Sequence, residues 1–174
     1  MKPGQSVKIA VIAFFLMAFF AAPVCAEDSD VNRATLAGLQ GVHVVVEELQ
    51  PNILKYAAKF GLKKAQITQD VERWLHEGGI RTFAGIDWQN IPGRPMLYIN
   101  INTHETAKYW YAYDVSVQLR QMATLDANPA LKTMATTWSL SITGSAHIGT
   151  LQVIREDTGM LVGRFVQAYK SKNK

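Results

Sequence analysis

Cysteine is nearly absent from this sequence, which contains one, Cys25, among 174 residues. Cys25 lies in an amino-terminal segment that we expect to be removed after export. A processed chain without cysteine has no disulfide, no thiol nucleophile and no thiolate metal site. Its stability outside the cytoplasm must therefore come from core packing.

An excess of charge of one sign is also missing. The chain has 18 basic and 14 acidic residues, and two of the basic residues, Lys2 and Lys8, lie in the amino-terminal segment. The lysine cluster at the other end, Lys170, Lys172 and Lys174, is typical of a helix end and tail. No run of lysine or arginine is long enough to follow a phosphate backbone, so we expect no nucleic-acid partner.

Motifs for enzyme chemistry are missing as well. The sequence has no Gly-x-Ser-x-Gly elbow, and His104 lacks the second histidine of a His-Glu-x-x-His zinc motif, so we predict that residues 103–106 form a turn. The residue types of a hydrolase triad do occur, at Ser139, Ser141, Ser145, His147 and Asp157. We expect no cofactor and no catalytic residue, and a hydrolase remains the less favoured alternative.

Residues 1–26 are typical of a secretory signal peptide. Lys2 and Lys8 precede an uncharged apolar run over residues 9–22, and Pro23 and Ala26 then provide a helix breaker and a small residue for cleavage. The run is shorter than the roughly 18 residues that cross a bilayer as a helix. We expect cleavage near Ala26, a periplasmic or secreted protein, and no transmembrane segment after processing.

A lipoprotein acylated on Cys25 is the alternative to this signal peptide. The residues before the cysteine, Ala22, Pro23 and Val24, match the Leu-x-Gly/Ala-Cys pattern of such processing poorly. A small residue at the cleavage position already explains the segment.

The processed chain is long enough for one domain with a hydrophobic core. Residues 27–38 are polar and follow neither a helical nor a strand period, so we predict a flexible leader there. Residues 39–174 are predicted to form a single α+β domain. Oligomeric state cannot be predicted from the sequence.

The most regular stretch, residues 109–122, alternates between apolar and polar residues. Tyr111, Tyr113 and Val115 share one side and Asp114 and Ser116 the other, which is the period of a strand with one buried face. Similar alternation or apolar runs predict further strands at residues 39–49, 80–86, 96–103 and 134–143.

Two segments change to the helical period. Apolar residues recur at helical spacing over residues 63–77, before Gly78 and Gly79, and again over residues 150–169. We predict a two-layer sandwich in the order β-α-β-β-β-β-α. It would have a mainly antiparallel sheet of about five strands with both amphipathic helices on one face.

Four residues are candidate binding residues. Trp88 and Arg94 lie on a predicted loop, residues 87–95, where an aromatic ring and a guanidinium can form a recognition patch. The alternative is that Trp88 folds back over the edge of the core while Arg94 stays in solvent. Tyr98 and Trp110 fall on the outward side of predicted strands, on a polar and lightly charged sheet face that a partner or a second copy could cover.

The inward side of the sheet raises a different possibility. A small apolar ligand could lie between sheet and helices if the aromatic side chains there lined a pocket. The residues concerned are Tyr109, Tyr111, Tyr113, Trp138 and Phe165.

Four segments together resemble a family of small secreted bacterial proteins with no assigned activity. They are GLQGVHVVVE (38–47), DVERWLHEGGI (70–80), PGRPMLY (92–98) and ATTWS (135–139). The order of elements is also similar to the two-layer envelope domains in the amino-terminal part of TolB and in the lipopolysaccharide-assembly lipoprotein LptE. This resemblance implies an architecture and carries no catalytic motif to this chain.

Export, a small rigid sheet and the absence of reactive motifs favour one class of function. We expect a non-catalytic periplasmic binding or envelope-assembly accessory module with an envelope protein partner. A carrier of a small apolar ligand is the alternative.

Overall fold

The computed structural model describes residues 28–173, which form an α+β fold with a four-stranded mixed sheet and four α-helices. The α+β class predicted from the sequence is confirmed. The predicted signal peptide, residues 1–26, lies outside the described residues. The elements in chain order are α1 (Asp30–Ala34), β1 (His43–Val46), α2 (Pro51–Ala57), α3 (Lys64–Glu77), β2 (Met96–Ala107), β3 (Trp110–Leu125), β4 (Asn128–His147) and α4 (Gln152–Lys172).

The sheet has the strand order β1-β2-β3-β4. β1 runs parallel to β2, while β2, β3 and β4 form an antiparallel meander. The parallel pair arises because α2 and α3 lie between β1 and β2 in the chain and return it to the same end of the sheet. The expectation of a mainly antiparallel sheet is therefore only partly met.

The strand predicted over residues 80–86 does not form. Only Thr82 pairs, in an isolated parallel bridge with Val42, and Phe83 donates its backbone N–H to the Val42 carbonyl. Gly85 then turns the chain with a φ of 58°, a left-handed conformation that ends an extended segment. The sheet has four strands rather than five for this reason.

The strands of the meander are longer than predicted. β2 continues to Ala107 and β4 begins at Asn128. The prediction that residues 103–106 form a turn was wrong, because cross-strand pairing with β3 continues through this segment, including the pair of His104 with Ala112. A bulge between Glu105 and Ala107 follows.

The core lies between the sheet and the helices α3 and α4. Inward residues of β2 and β3, such as Ile99 and Val117, are fully buried. Trp138 on β4 packs its ring 5.2 Å from that of Phe165 on α4. Both side chains have no exposed surface, so they anchor the closing helix to the last strand.

Residues 28–38 differ from the flexible leader that we expected. Ser29 caps α1 by accepting a hydrogen bond from the Asn32 backbone N–H at 3.2 Å. The Asn32 side chain donates to the Thr137 carbonyl of β4 at 3.2 Å, and Leu36 is fully buried in the core. These contacts hold the segment against β4, and the polar composition gave no sign of them.

Beyond the end of β1, two side chains make hydrogen bonds to the backbone of β2 that a neighbouring strand would otherwise make. Gln50 accepts the Thr103 backbone N–H at 2.7 Å, and Asn52 donates to the Thr103 carbonyl at 2.8 Å. The backbone groups of Thr103 are thus paired without another strand.

Within residues 28–173, no helix is both long enough and apolar enough to cross a membrane.

Candidate functional site

The sheet face opposite the helices is polar, and we call it the outer face. Its side chains lie in register across the meander: Asn100 opposite Ser116, and Asn102 opposite Asp114. β4 continues these two rows with Ser141 and Thr143. Alternation puts these residues outward because their neighbours in the chain are the buried core residues.

One end of the outer face carries a connected set of polar side chains. The Tyr98 hydroxyl donates a hydrogen bond to the Glu47 carboxylate. The Arg120 guanidinium lies 3.6 Å above the Tyr98 ring and donates to Gln118 Oε1 from Nε at 3.1 Å and Nη2 at 2.8 Å. The hydrogen bond to Glu47 is the main reason that the pKa of Tyr98 is raised. We call these four residues the Tyr98 network.

Trp88 extends this end of the face. Its ring stacks on His43 with centroids 5.2 Å apart and an interplanar angle of 2°. His43 Nδ1 lies 2.8 Å from the Phe83 carbonyl oxygen, and His43 pairs with Met96, two residues before Tyr98 on β2. Trp88 therefore folds back over the sheet edge, which is the structural alternative that the sequence left open.

Arg94 is exposed on the same loop as Trp88. Its Nε donates to the Gln89 carbonyl at 3.0 Å, so part of the guanidinium closes its own loop. Arg94 has a φ of 45°, a backbone conformation that residues other than glycine and asparagine adopt rarely.

Trp110 lies far from the other three candidate residues. It is eight residues along β3 from Gln118, the partner of Tyr98, which corresponds to about 26 Å of extended strand. Three of the four candidates thus belong to one end of the sheet, and Trp110 belongs to the opposite end.

A groove of about 470 Å³ lies on the outer face, in the half of the meander nearer the β2–β3 hairpin. Burial raises the pKa of the Asp114 carboxyl in this groove. A partly desolvated carboxylate of this kind gains more from a cation or a hydrogen-bond donor than a solvated one does. The groove is lined by Gln50, Asn102, Thr103, His104, Ala112, Tyr113, Asp114, Thr143 and Gly144.

The residue types of a hydrolase triad are divided between the two faces. Asp157 on α4 accepts a hydrogen bond from the Tyr113 hydroxyl at 2.5 Å on the side of the helices. Ser145 pairs with Ala112 and points with it to the outer face. In the part of the chain that the structure describes, no three His, Cys, Asp or Glu residues are placed to hold a metal ion.

The aromatic residues considered for an apolar pocket are mostly used in packing. Tyr111 is fully buried and its hydroxyl donates to the Asn52 carbonyl at 3.1 Å. Trp138 is buried against Phe165, whereas Tyr109 is exposed at a hairpin end. The five aromatic side chains therefore do not line one common space.

No protein-family model matches this chain, and no curated protein matches it significantly in sequence. The geometry of the outer face is therefore the basis for a functional proposal. Sequence reasoning placed Asp114 on that face but did not single it out, and it assigned His104 to a turn. The groove depends on the register of three strands, and no local pattern encodes that register.

Proposed function

We propose that this protein is a non-catalytic binding or assembly-accessory module of the periplasm that binds an envelope protein through its outer face. The observation that carries the proposal is the groove at Asp114, set in a polar sheet face on the side away from the helices. Catalysis is disfavoured because Asp157 and Ser145 lie on opposite sides of the sheet.

The chemistry of the groove suggests what the partner presents. Asp114 is partly buried, and Asn102 and Thr143 beside it offer an amide and a hydroxyl. A lysine or arginine side chain of the partner would pair with the carboxylate and donate to these neighbours, which is the geometry in which charge-assisted hydrogen bonds are strongest. The Tyr98 network, farther along the same face, would meet the rest of the partner surface.

The test compares two arginine substitutions. Thr143→Arg places a cation and a bulky side chain in the groove, whereas Gln69→Arg adds the same group on the exposed side of α3. Tagged protein should recover one envelope protein at near-stoichiometric yield, Gln69→Arg should recover it equally, and Thr143→Arg should not. Failure of the unsubstituted protein to recover any partner would count against the proposal.

Native mass spectrometry separates this proposal from the apolar-carrier alternative. A binding module taken directly from the periplasm should show the mass of the polypeptide, alone or with its protein partner. A small additional mass that survives purification would favour the carrier instead.

A further inference from the structure

The β2–β3 hairpin ends in an aromatic cluster that the proposed function does not use. The Tyr109 ring lies 6.2 Å from that of Tyr56 on α2 and 6.4 Å from that of His147 at the end of β4. The Trp110 ring lies 5.4 Å from the His147 ring. We call these residues, together with Lys55 and Lys108, the hairpin-tip cluster.

The two aromatic residues at the hairpin turn are exposed. Tyr109 keeps 39% and Trp110 keeps 49% of its surface accessible. Tyr109 also has a φ of 69°, at a position where glycine or asparagine would relieve the backbone. Backbone strain of this kind tends to occur at functional positions.

Lysine side chains accompany the rings. Lys55 Nζ lies 4.7 Å from the centre of the Tyr56 ring, and Lys108 Nζ lies 5.2 Å from that of Tyr109. One acidic group, Glu105, contacts the turn, and its Oε1 is 3.4 Å from the Tyr109 backbone nitrogen. Two ammonium groups against one carboxylate leave the cluster positively charged.

We propose that the hairpin-tip cluster docks on an anionic phospholipid surface. Tyrosine and tryptophan side chains favour the headgroup region, where the ring contacts the acyl boundary and the polar atom stays hydrated. Lys55 and Lys108 would contact lipid phosphates, and each lysine near such a surface strengthens binding by about fivefold. The charge of the cluster is what favours anionic lipid over a neutral surface.

This docking uses residues other than those of the outer-face proposal. Trp110 lies four residues along β3 from Asp114, about 13 Å of extended strand, and farther still from the Tyr98 network, so the two kinds of binding can be separated by substitution. Thr143→Arg should therefore lose the protein partner and still bind vesicles, while a hairpin variant should do the reverse.

Vesicle sedimentation tests the inference. The chain that begins at Glu27 should pellet with vesicles of phosphatidylethanolamine and phosphatidylglycerol, and weakly with phosphatidylcholine alone. Tyr109→Gly combined with Trp110→Ser should weaken this binding at least tenfold, since the substitutions remove both exposed aromatic rings from the lipid contact. The glycine suits the left-handed backbone, so the variant should fold.

A second variant and a matched control separate charge from general stickiness. Lys108→Ser should lower binding to anionic vesicles by about fivefold and leave binding to phosphatidylcholine unchanged. Leu131→Ser with Lys132→Ser removes an exposed apolar residue and a lysine from the other hairpin, at the opposite end of the sheet, and should bind as the unsubstituted chain does. Equal binding by hairpin-tip and control variants, no binding by the unsubstituted chain, or retention by peptidoglycan in place of vesicles would overturn the inference.

Discussion

Replacement of Asp28 by alanine tests whether the first described residues belong to the folded domain. The Asp28 side chain is 3% exposed and accepts hydrogen bonds from Trp138 Nε1 at 2.8 Å and from Arg33 Nε and Nη2 at 2.7 and 2.6 Å. Arg164 Nη2 lies 3.8 Å from the same carboxylate. One carboxylate thus links the amino-terminal segment to β4 and α4.

The expected loss follows from what each partner of Asp28 would retain. Trp138 is fully buried, so its indole N–H would lose its acceptor, at a cost of about 1–3 kcal/mol. Arg33 is 37% exposed and can turn to water, so the loss of that ion pair adds only about 1 kcal/mol. Asp28→Ala should therefore lower the free energy of unfolding by about 2–4 kcal/mol.

Urea unfolding of the chain that begins at Glu27 measures this difference. Asp28→Asn keeps an acceptor for Trp138 and removes the charge, so it should cost less than Asp28→Ala. Asp126→Ala, in the exposed β3–β4 turn, should change stability by less than about 0.5 kcal/mol. An Asp28→Ala loss no larger than that of Asp126→Ala would show that residues 28–38 are a dispensable leader and would refute the reasoning.

The pH dependence provides an independent check on Asp28. The pKa of Asp28 lies below the ordinary value of 3.8, and the main cause is the hydrogen bonding from Arg33. A depressed folded-state pKa means that the carboxylate stabilises the fold above pH 3.8 and that this contribution is lost as the pH falls through the folded pKa. The difference in unfolding free energy between the unsubstituted protein and the Asp28→Ala variant should accordingly shrink in acid.

Three further substitutions test the packing of two glycines and the burial of Asp114. Gly144→Ala should destabilise the protein by about 1–3 kcal/mol in urea unfolding, because the added methyl would lie 2.5 Å from a ring carbon of Tyr113. Gly163 has open space around it, so Gly163→Ala should stabilise α4 by up to about 1 kcal/mol. Equal effects of the two substitutions on stability would contradict this account. Asp114→Asn should stabilise the protein by about 0.5–1 kcal/mol at pH 7 and abolish capture of the partner. Because burial raises the pKa of Asp114, its ionisation costs stability as the pH rises from 3.8 through the folded pKa. The stabilisation by Asp114→Asn, measured by thermal unfolding, should therefore disappear below pH 3.8. A stabilisation that persists there would count against a desolvated carboxylate.

The periodic parts of the fold could be predicted from the sequence. α3, at Lys64–Glu77, lies almost where the apolar spacing placed it, since its stripe is set by residues within the same helix. The segment at residues 80–86 has strand-like composition but forms one bridge. Whether such a segment joins a sheet depends on whether it can pair with the free edge of β1. The alternation of apolar and polar residues within the segment carries no information about that pairing.

The site was less predictable than the fold because it depends on pairing between strands. Asp114 and Asn102 come together through the antiparallel register of β2 and β3, and a shift of one residue between these strands would put them on opposite faces of the sheet. Asp28 was missed for a related reason. A short polar segment gives no periodic signal, while its one decisive contact, with Trp138, is 110 positions away.

Polarity alone does not decide which outer-face residues would anchor a partner. Glu47 and Gln118 hold Tyr98 and Arg120 in place before any partner binds. Ordering a side chain costs about 0.5–1.5 kcal/mol. For these two residues that cost is incurred on folding and not on binding. Asp114 differs, because its burial disfavours the charge that a cationic partner would compensate. The network therefore favours a partner of complementary shape, and the groove favours one that brings a positive charge.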